Sequence, residues 1–180
     1  MAGGCQCPQI DLADWRDRQV TLAGQAFLTC PTPLFLHLPH RLHQDLESLC
    51  ARAEQARLQI PGSPLVLHRD GWFRGEVLVS IEPQPAGGAE IRSFQTLFYS
   101  RVVGRPGFDA ALRAMPGFYG DLRRARVGPI QAMYFWYVNC PACLLEKGAR
   151  QIVLLAQSRR LLASDACPAA VSGQWAAARG

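Results

Sequence analysis

Cys5-x-Cys7 and Cys140-x-x-Cys143 are the two closely spaced thiol pairs in this chain, and a proline stands beside each. Four thiolates at such spacings make a closed tetrahedral site for a structural zinc, which would tie the N-terminal arm to a loop near residue 140. The spacing leaves ordinary reduced cysteines and a redox pair open as alternatives. Cys30 and Cys167 precede prolines and Cys50 falls in a helical stretch, so these three read as structural.

Glu76 is the carboxylate best placed for acid–base work. It opens the hydrophobic run Glu76 to Ile81, where alternation sets it on one face with Leu78 and Ser80. Desolvation there would raise its pKa and fit it to activate water. The competing reading is an exposed carboxylate paired with Arg74. Trp72, Phe73, Tyr99, Phe135, Trp136 and Tyr137 are candidates to grip a planar ligand, because large rigid rings bury much area at low entropic cost. Burial in the core competes with that role for each of them, most strongly for Trp136 and Phe73. His37, His40 and His43 recur at three-residue steps, but Pro39 breaks the helical face that would converge them, and they read as structural. His68 ends a strand and shows no partner in the sequence. Glu146, beside Lys147-Gly148, reads as a turn residue.

These groups need elements to position them. Met133 to Gln157 reads as a β-hairpin whose arms, Tyr134–Val138 and Gln151–Ala156, are rich in aromatic and β-branched residues. Period two puts Tyr134, Trp136 and Val138 on one face and Phe135 and Tyr137 on the other. Earlier in the chain, residues 19–22 suggest an edge strand and Leu34–Leu38 a short strand stopped by Pro39. Leu42 to Leu58 has the apolar spacing of a helix. Pro64–His68 and Glu76–Ile81 are strands around a loop whose Asp70-Gly71 is a turn signal. After the Pro- and Gly-rich residues 83–88 the same order returns: a strand within 91–103, a helical stretch over 108–126 that Pro116-Gly117 should split or kink near Met115, then the hairpin.

The expected class is therefore α+β, built of duplicated βαββ units that form a pseudo-twofold antiparallel sheet with a central cleft. An N-terminal arm covers residues 1–31, repeat one 32–82, repeat two 90–157, and a C-terminal tail 158–180 that is expected to be frayed or disordered.

The chain has 180 residues, 49% hydrophobic and 18% charged, enough to bury a core. It lacks the roughly 20-residue apolar run of a spanning helix and the pattern of a signal peptide, so a soluble cytoplasmic protein without a membrane partner is expected. Its formal net charge of +5 is not accompanied by a nucleic-acid-binding motif, and reads as a solvated surface.

Two βαββ units, with Gly62-Ser63-Pro64 and Gly128-Pro129 before the hairpin positions, resemble the GyrI-like, or gyrase-inhibitor-like, family over about residues 32–157. The resemblance implies a ligand cleft between the halves, lined by aromatics and carboxylates. It also implies, from some relatives, hydrolysis of cyclopropane-bearing toxins. The sequence departs from that family at Phe135, two residues before Tyr137, where a Glu is common, and at Cys140-Pro141, where the family carries Asp-Pro. The expected function is protective sequestration of a hydrophobic planar small molecule. The alternatives are a hydrolase opening a strained or electrophilic toxin, with Glu76 activating water, and an interaction module for a protein such as DNA gyrase.

Overall fold

The computed structural model describes residues 11–83, 90–148 and 151–161, with side chains through residue 159. Nine strands make one open sheet: β1 (Arg18–Thr21), β2 (Ala26–Phe35), β3 (Leu38–Pro39), β4 (Val66–Arg69), β5 (Arg74–Ile81), β6 (Ile91–Ser93), β7 (Thr96–Val102), β8 (Ile130–Tyr137) and β9 (Ile152–Leu161). They lie in the order β1-β7-β9-β8-β4-β5-β2-β3, with β6 beside β2. Every pairing is antiparallel. Three helices, α1 (Leu42–Gln55), α2 (Phe108–Arg124) and α3 (Pro141–Lys147), complete an α+β architecture.

All three helices cover one face of the sheet. Leu46 and Leu49 of α1, Phe118 and Leu122 of α2 and Leu144 of α3 share a buried cluster with Val66, Val77, Phe135, Tyr137 and Leu154. The other face is buried too. There, Trp15, from a 3-10 turn at Leu12–Trp15, sets its ring 4.4 Å from that of Trp136. Phe94, between β6 and β7, packs edge-on against Phe98 and Tyr134. The central strands are thus apolar on both sides, as the alternation of Tyr134–Val138 requires.

The structure departs from the sequence-based expectations at three elements. β2 is ten residues long and passes through Pro31 and Pro33. Those prolines share strand parity with Thr29, whose N–H is directed away from β5 to the Glu90 carbonyl, so the donors they lack would have pointed off the partnered side. The run Leu34–Leu38 is not one strand but the end of β2, a tight turn at Leu36-His37 and the start of β3.

The expected split of the second helix does not occur: α2 is a single helix with the exposed Pro116 inside it. The missing amide and ring clash cost about 3 kcal/mol. Burial of Ala111 before the proline and of Phe118 and Leu122 after it holds both pieces on one line. Arg101 adds to this, with its guanidinium 5.0 Å over the Phe118 ring and ion pairs to Asp17 and Asp121.

β8 and β9 do pair as the hairpin requires, but their connection contains α3 in place of a simple loop. Cys140 is its N-cap, Pro141 opens the first turn and Gly148, at φ 69°, ends it. A proline at the first helical position and a left-handed glycine after the last are helix punctuation as much as turn punctuation.

Candidate active site

The β2–β3 turn is built on an uncommon backbone. Leu36 and His37 are consecutive non-glycine residues at φ 48° and φ 73°, between the paired residues Phe35 and Leu38. Two left-handed residues in a two-residue hairpin normally call for Asn-Gly, and each L-residue with a Cβ there costs about 1–2 kcal/mol. This turn presents His37 to the end of β4. The imidazole Nδ1 lies 2.7 Å from Oδ1 of Asp70, and both side chains are largely shielded from solvent.

Asp70 is itself fixed, since its N–H donates to the Met133 carbonyl at 2.8 Å. Burial pushes the Asp70 carboxyl up, while the hydrogen bond and charge of His37 and the Gly71 amide pull it down. The Trp72 ring stands 4.9 Å from the His37 ring. Gly71 and Gly75 make this turn possible: a Cβ on Gly71 would lie 2.1 Å from the Arg74 carbonyl oxygen, and one on Gly75 2.4 Å from that of Arg69. A carboxylate that holds one imidazole nitrogen leaves the other available as a base.

The chain continues from His37 directly into a pocket of about 450 Å³ lined by Leu38, Pro39, His40, Leu42, His43 and Leu46, and across from them by Phe108, Tyr137 and Leu144. All three helices contribute to its wall. The Tyr137 hydroxyl is buried and has no hydrogen-bond partner among the described residues. Burial, and secondarily the charge of Asp70, push its pKa up, so it stays protonated and can donate a hydrogen bond to an anionic acceptor. Asp70 thus acts electrostatically on a residue that lines the pocket.

His68 lies behind this wall. It is fully buried, stacks on Phe135 with ring centroids 5.7 Å apart, and stands 6.0 Å from the Phe108 ring. Neither ring nitrogen finds a hydrogen-bond partner among the described residues. Burial, and secondarily the charge of His37, push it down to about 4, so it is neutral at pH 7.

Glu76 lies on the opposite face of the sheet from this pocket. Arg92 engages both of its carboxylate oxygens, one at 2.9 Å, and Arg69 approaches at 3.6 Å. The expected pairing with Arg74 is thus replaced by pairing with Arg92 and Arg69. Arg69 and Arg92 line a polar pocket of about 290 Å³ together with Tyr134 and Gln157. Tyr134 donates to Gln157 Oε1 at 3.3 Å, and Gln157 Nε2 donates to Thr96 at 3.0 Å.

The remaining candidates scatter. Tyr99, Phe135 and Trp136 are buried in the core, Phe135 and Tyr99 on the helix side and Trp136 on the other. Trp72 and Phe73 are exposed, at 63% and 64%. Phe135, Tyr137 and Trp72 therefore do not line one pocket, and only Tyr137 of the three reaches the space described above. Cys140 and Cys143 are buried at the start of α3, while Cys5 and Cys7 lie outside the described residues, as does most of the C-terminal tail. Among the described residues no three His, Cys, Asp or Glu gather as a metal site would require.

The sequence alone does not bring His37 and Asp70 together. Pro39 rules out a helical face for His37, but a hairpin, not a helix, presents it. The legible signal was Asp70 in a turn beside a histidine-bearing turn, and it needed the β2–β5–β4 strand order to be seen.

No curated protein and no solved structure matches the chain. A family described as bacterial hydrolase matches residues 2–158. This overturns the GyrI-like resemblance, which rested on the order of elements, a property that unrelated families share. Spanning the arm, both halves of the sheet and all three helices, the match shows that this chain belongs to the bacterial hydrolase family.

Proposed function

We propose that this chain hydrolyses an apolar small molecule bound in the pocket bounded by α1, α2 and α3, with His37 as the general base. His37 takes a proton from water as the water oxygen attacks the substrate's electrophilic centre, and returns it to the leaving group. Asp70 orients the imidazole and stabilises its protonated form. Tyr137 donates a hydrogen bond where negative charge develops. The observation that carries this reading is the His37–Asp70 hydrogen bond, made by a histidine held in a costly left-handed turn beside the pocket-lining residues Leu38 and Pro39. Strain retained at two consecutive residues is a mark of a site under functional constraint. Glu76 is not the base here, because its oxygens are engaged by arginines on the far face of the sheet.

The pocket's place between α1 and α2 fits a duplicated arrangement, in which β2-α1-β4-β5 and β7-α2-β8-β9 are related by a pseudo-twofold axis. Supporting this, the halves run β4-β5-β2 and β8-β9-β7 outward from the centre, where β4 and β8 pair antiparallel. A hydrophobic substrate is favoured by the leucines and Phe108 that line the pocket.

Hydrolysis of p-nitrophenyl acetate, butyrate and octanoate by the purified chain tests the proposal. His37→Asn, which tolerates the left-handed backbone but cannot act as base, and Asp70→Asn should each lower kcat/KM by about 10²–10⁴. Turnover that survives both substitutions would place the chemistry elsewhere.

A further inference from the structure

We infer that the paired loop tips beside the dyad form a docking surface for an anionic lipid bilayer. Among the described residues, five of the six large apolar side chains left exposed belong to these two tips: Phe35, Leu36 and Leu38 from the β2–β3 turn, and Trp72 and Phe73 from the β4–β5 turn. Each is between 45% and 64% exposed, far more than a hydrophobic side chain retains without cause when several lie together. The tips are held side by side, because the Leu34 N–H donates to the Phe73 carbonyl at 2.9 Å and the Trp72 ring packs against His37.

Charge selects the occupant. Arg41 follows directly on the pocket-lining His40, and Arg74 directly on Phe73. Both are exposed, and neither has a carboxylate partner among the described residues. Carboxylates on the neighbouring elements have other partners: Asp70 has His37, Asp45 has Thr32, Glu47 has His43 and Glu76 has Arg92. Aromatic and leucine side chains flanked by arginines are the composition of a bilayer-interface contact, where rings enter the headgroup boundary and guanidinium groups meet lipid phosphates. A twofold contact through the same tips would offer these arginines only a second copy of a patch whose own carboxylates have other partners. The net charge of +5 acts in the same direction. No described helix is long and apolar enough to cross a membrane.

Leu38 belongs both to the exposed tip and to the pocket wall. Docking through the tips would bring the pocket to the bilayer surface and make a lipid-soluble molecule its substrate. That last consequence rests on the hydrolase reading proposed above, whereas the docking itself does not.

Co-sedimentation of the purified chain with phosphatidylglycerol vesicles, and with phosphatidylcholine vesicles, tests the docking without any turnover measurement. The wild-type chain should sediment with the anionic vesicles and much less with the zwitterionic ones. Replacing Arg41 and Arg74 together by Glu should weaken the partition by about twentyfold or more, since each basic residue near such a surface contributes about fivefold. Trp72→Ser with Phe73→Ser should abolish it while leaving the urea midpoint in place, because both side chains are exposed. His37→Asn should keep vesicle binding whatever it does to hydrolysis, which separates the two readings. Failure of the wild type to sediment with phosphatidylglycerol, or binding retained by both sets of variants, overturns the inference. So does a concentration-dependent dimer that disappears in the Trp72→Ser, Phe73→Ser chain, because a second copy would then be the occupant.

Discussion

The two pockets lie on opposite faces of one sheet and differ in how completely their polar groups are satisfied. Around Glu76, the carboxylate, two arginines, Tyr134, Gln157 and Thr96 close a network in which donors meet acceptors. Under the helices, Tyr137 and His68 bury polar atoms without partners, and His37 and Asp70 are held together by a turn that costs energy. An unsatisfied buried polar atom costs about 1–3 kcal/mol, so it persists where something other than stability retains it. The contrast holds between the two pockets rather than between whole faces, since Trp136 on the Glu76 face also buries a ring N–H without a partner among the described residues.

The sharpest way to break that contrast is to compare Asp70→Asn with Glu76→Gln in one hydrolysis assay. Asp70→Asn should lower kcat/KM by about 10²–10⁴, whereas Glu76→Gln should leave turnover unchanged. The reverse pattern would exchange the roles of the two faces.

Next in size is the pH response of His68. Its folded pKa, about 4, lies below the ordinary 6.5. The unfolded chain therefore binds the proton more readily, and the stability that neutral His68 confers is fully present above pH 6.5 and lost as pH falls toward 4. The loss is on the order of 3 kcal/mol. His68→Leu, which cannot titrate, should flatten this part of the urea-midpoint profile between pH 7.5 and pH 4.5 relative to wild type. Parallel profiles would show that His68 is not held neutral.

Glu76→Gln should also lower stability, by about 1 kcal/mol, since its pairs with Arg92 and Arg69 are partly open to solvent and screened. High salt should erase most of that difference. A loss several times larger, insensitive to salt, would mean that the network is more deeply buried than its exposure indicates.

The smallest effect concerns the turn. Asn tolerates the left-handed region, so Leu36→Asn should raise stability by about 1 kcal/mol despite removing a leucine, because that side chain is already 47% exposed. The same substitution should weaken vesicle binding. A fall in the urea midpoint would show that the Leu36 side chain contributes more by packing than its backbone costs.

Much was legible from local pattern. Period-two alternation set Tyr134 and Trp136 against Phe135 and Tyr137, and the structure keeps those faces. Three- and four-residue spacing placed α1 to within three residues, and Asp70-Gly71 marked the β4–β5 turn. These features follow from the chain's own geometry, because the side-chain period of a strand or helix is fixed by its backbone alone. Local punctuation misled where packing overrode it. Pro116 does not break α2, because apolar burial on both sides outweighs one lost hydrogen bond. Cys140-Pro141 begins a helix where the same residues would equally begin a turn.

Only the tertiary structure decided which polar residues work together. His37 and Asp70 are 33 residues apart, in two turns with no shared local pattern, and they meet because β5 lies between β2 and β4. Glu76, the best base by its apolar strand alone, has arginine partners from β6 and β4, one of them sixteen residues away. Sequence fixes which faces are apolar because burial is encoded residue by residue. The pairing of charges across strands depends on sheet order and register, and those are set by the sum of many long-range contacts.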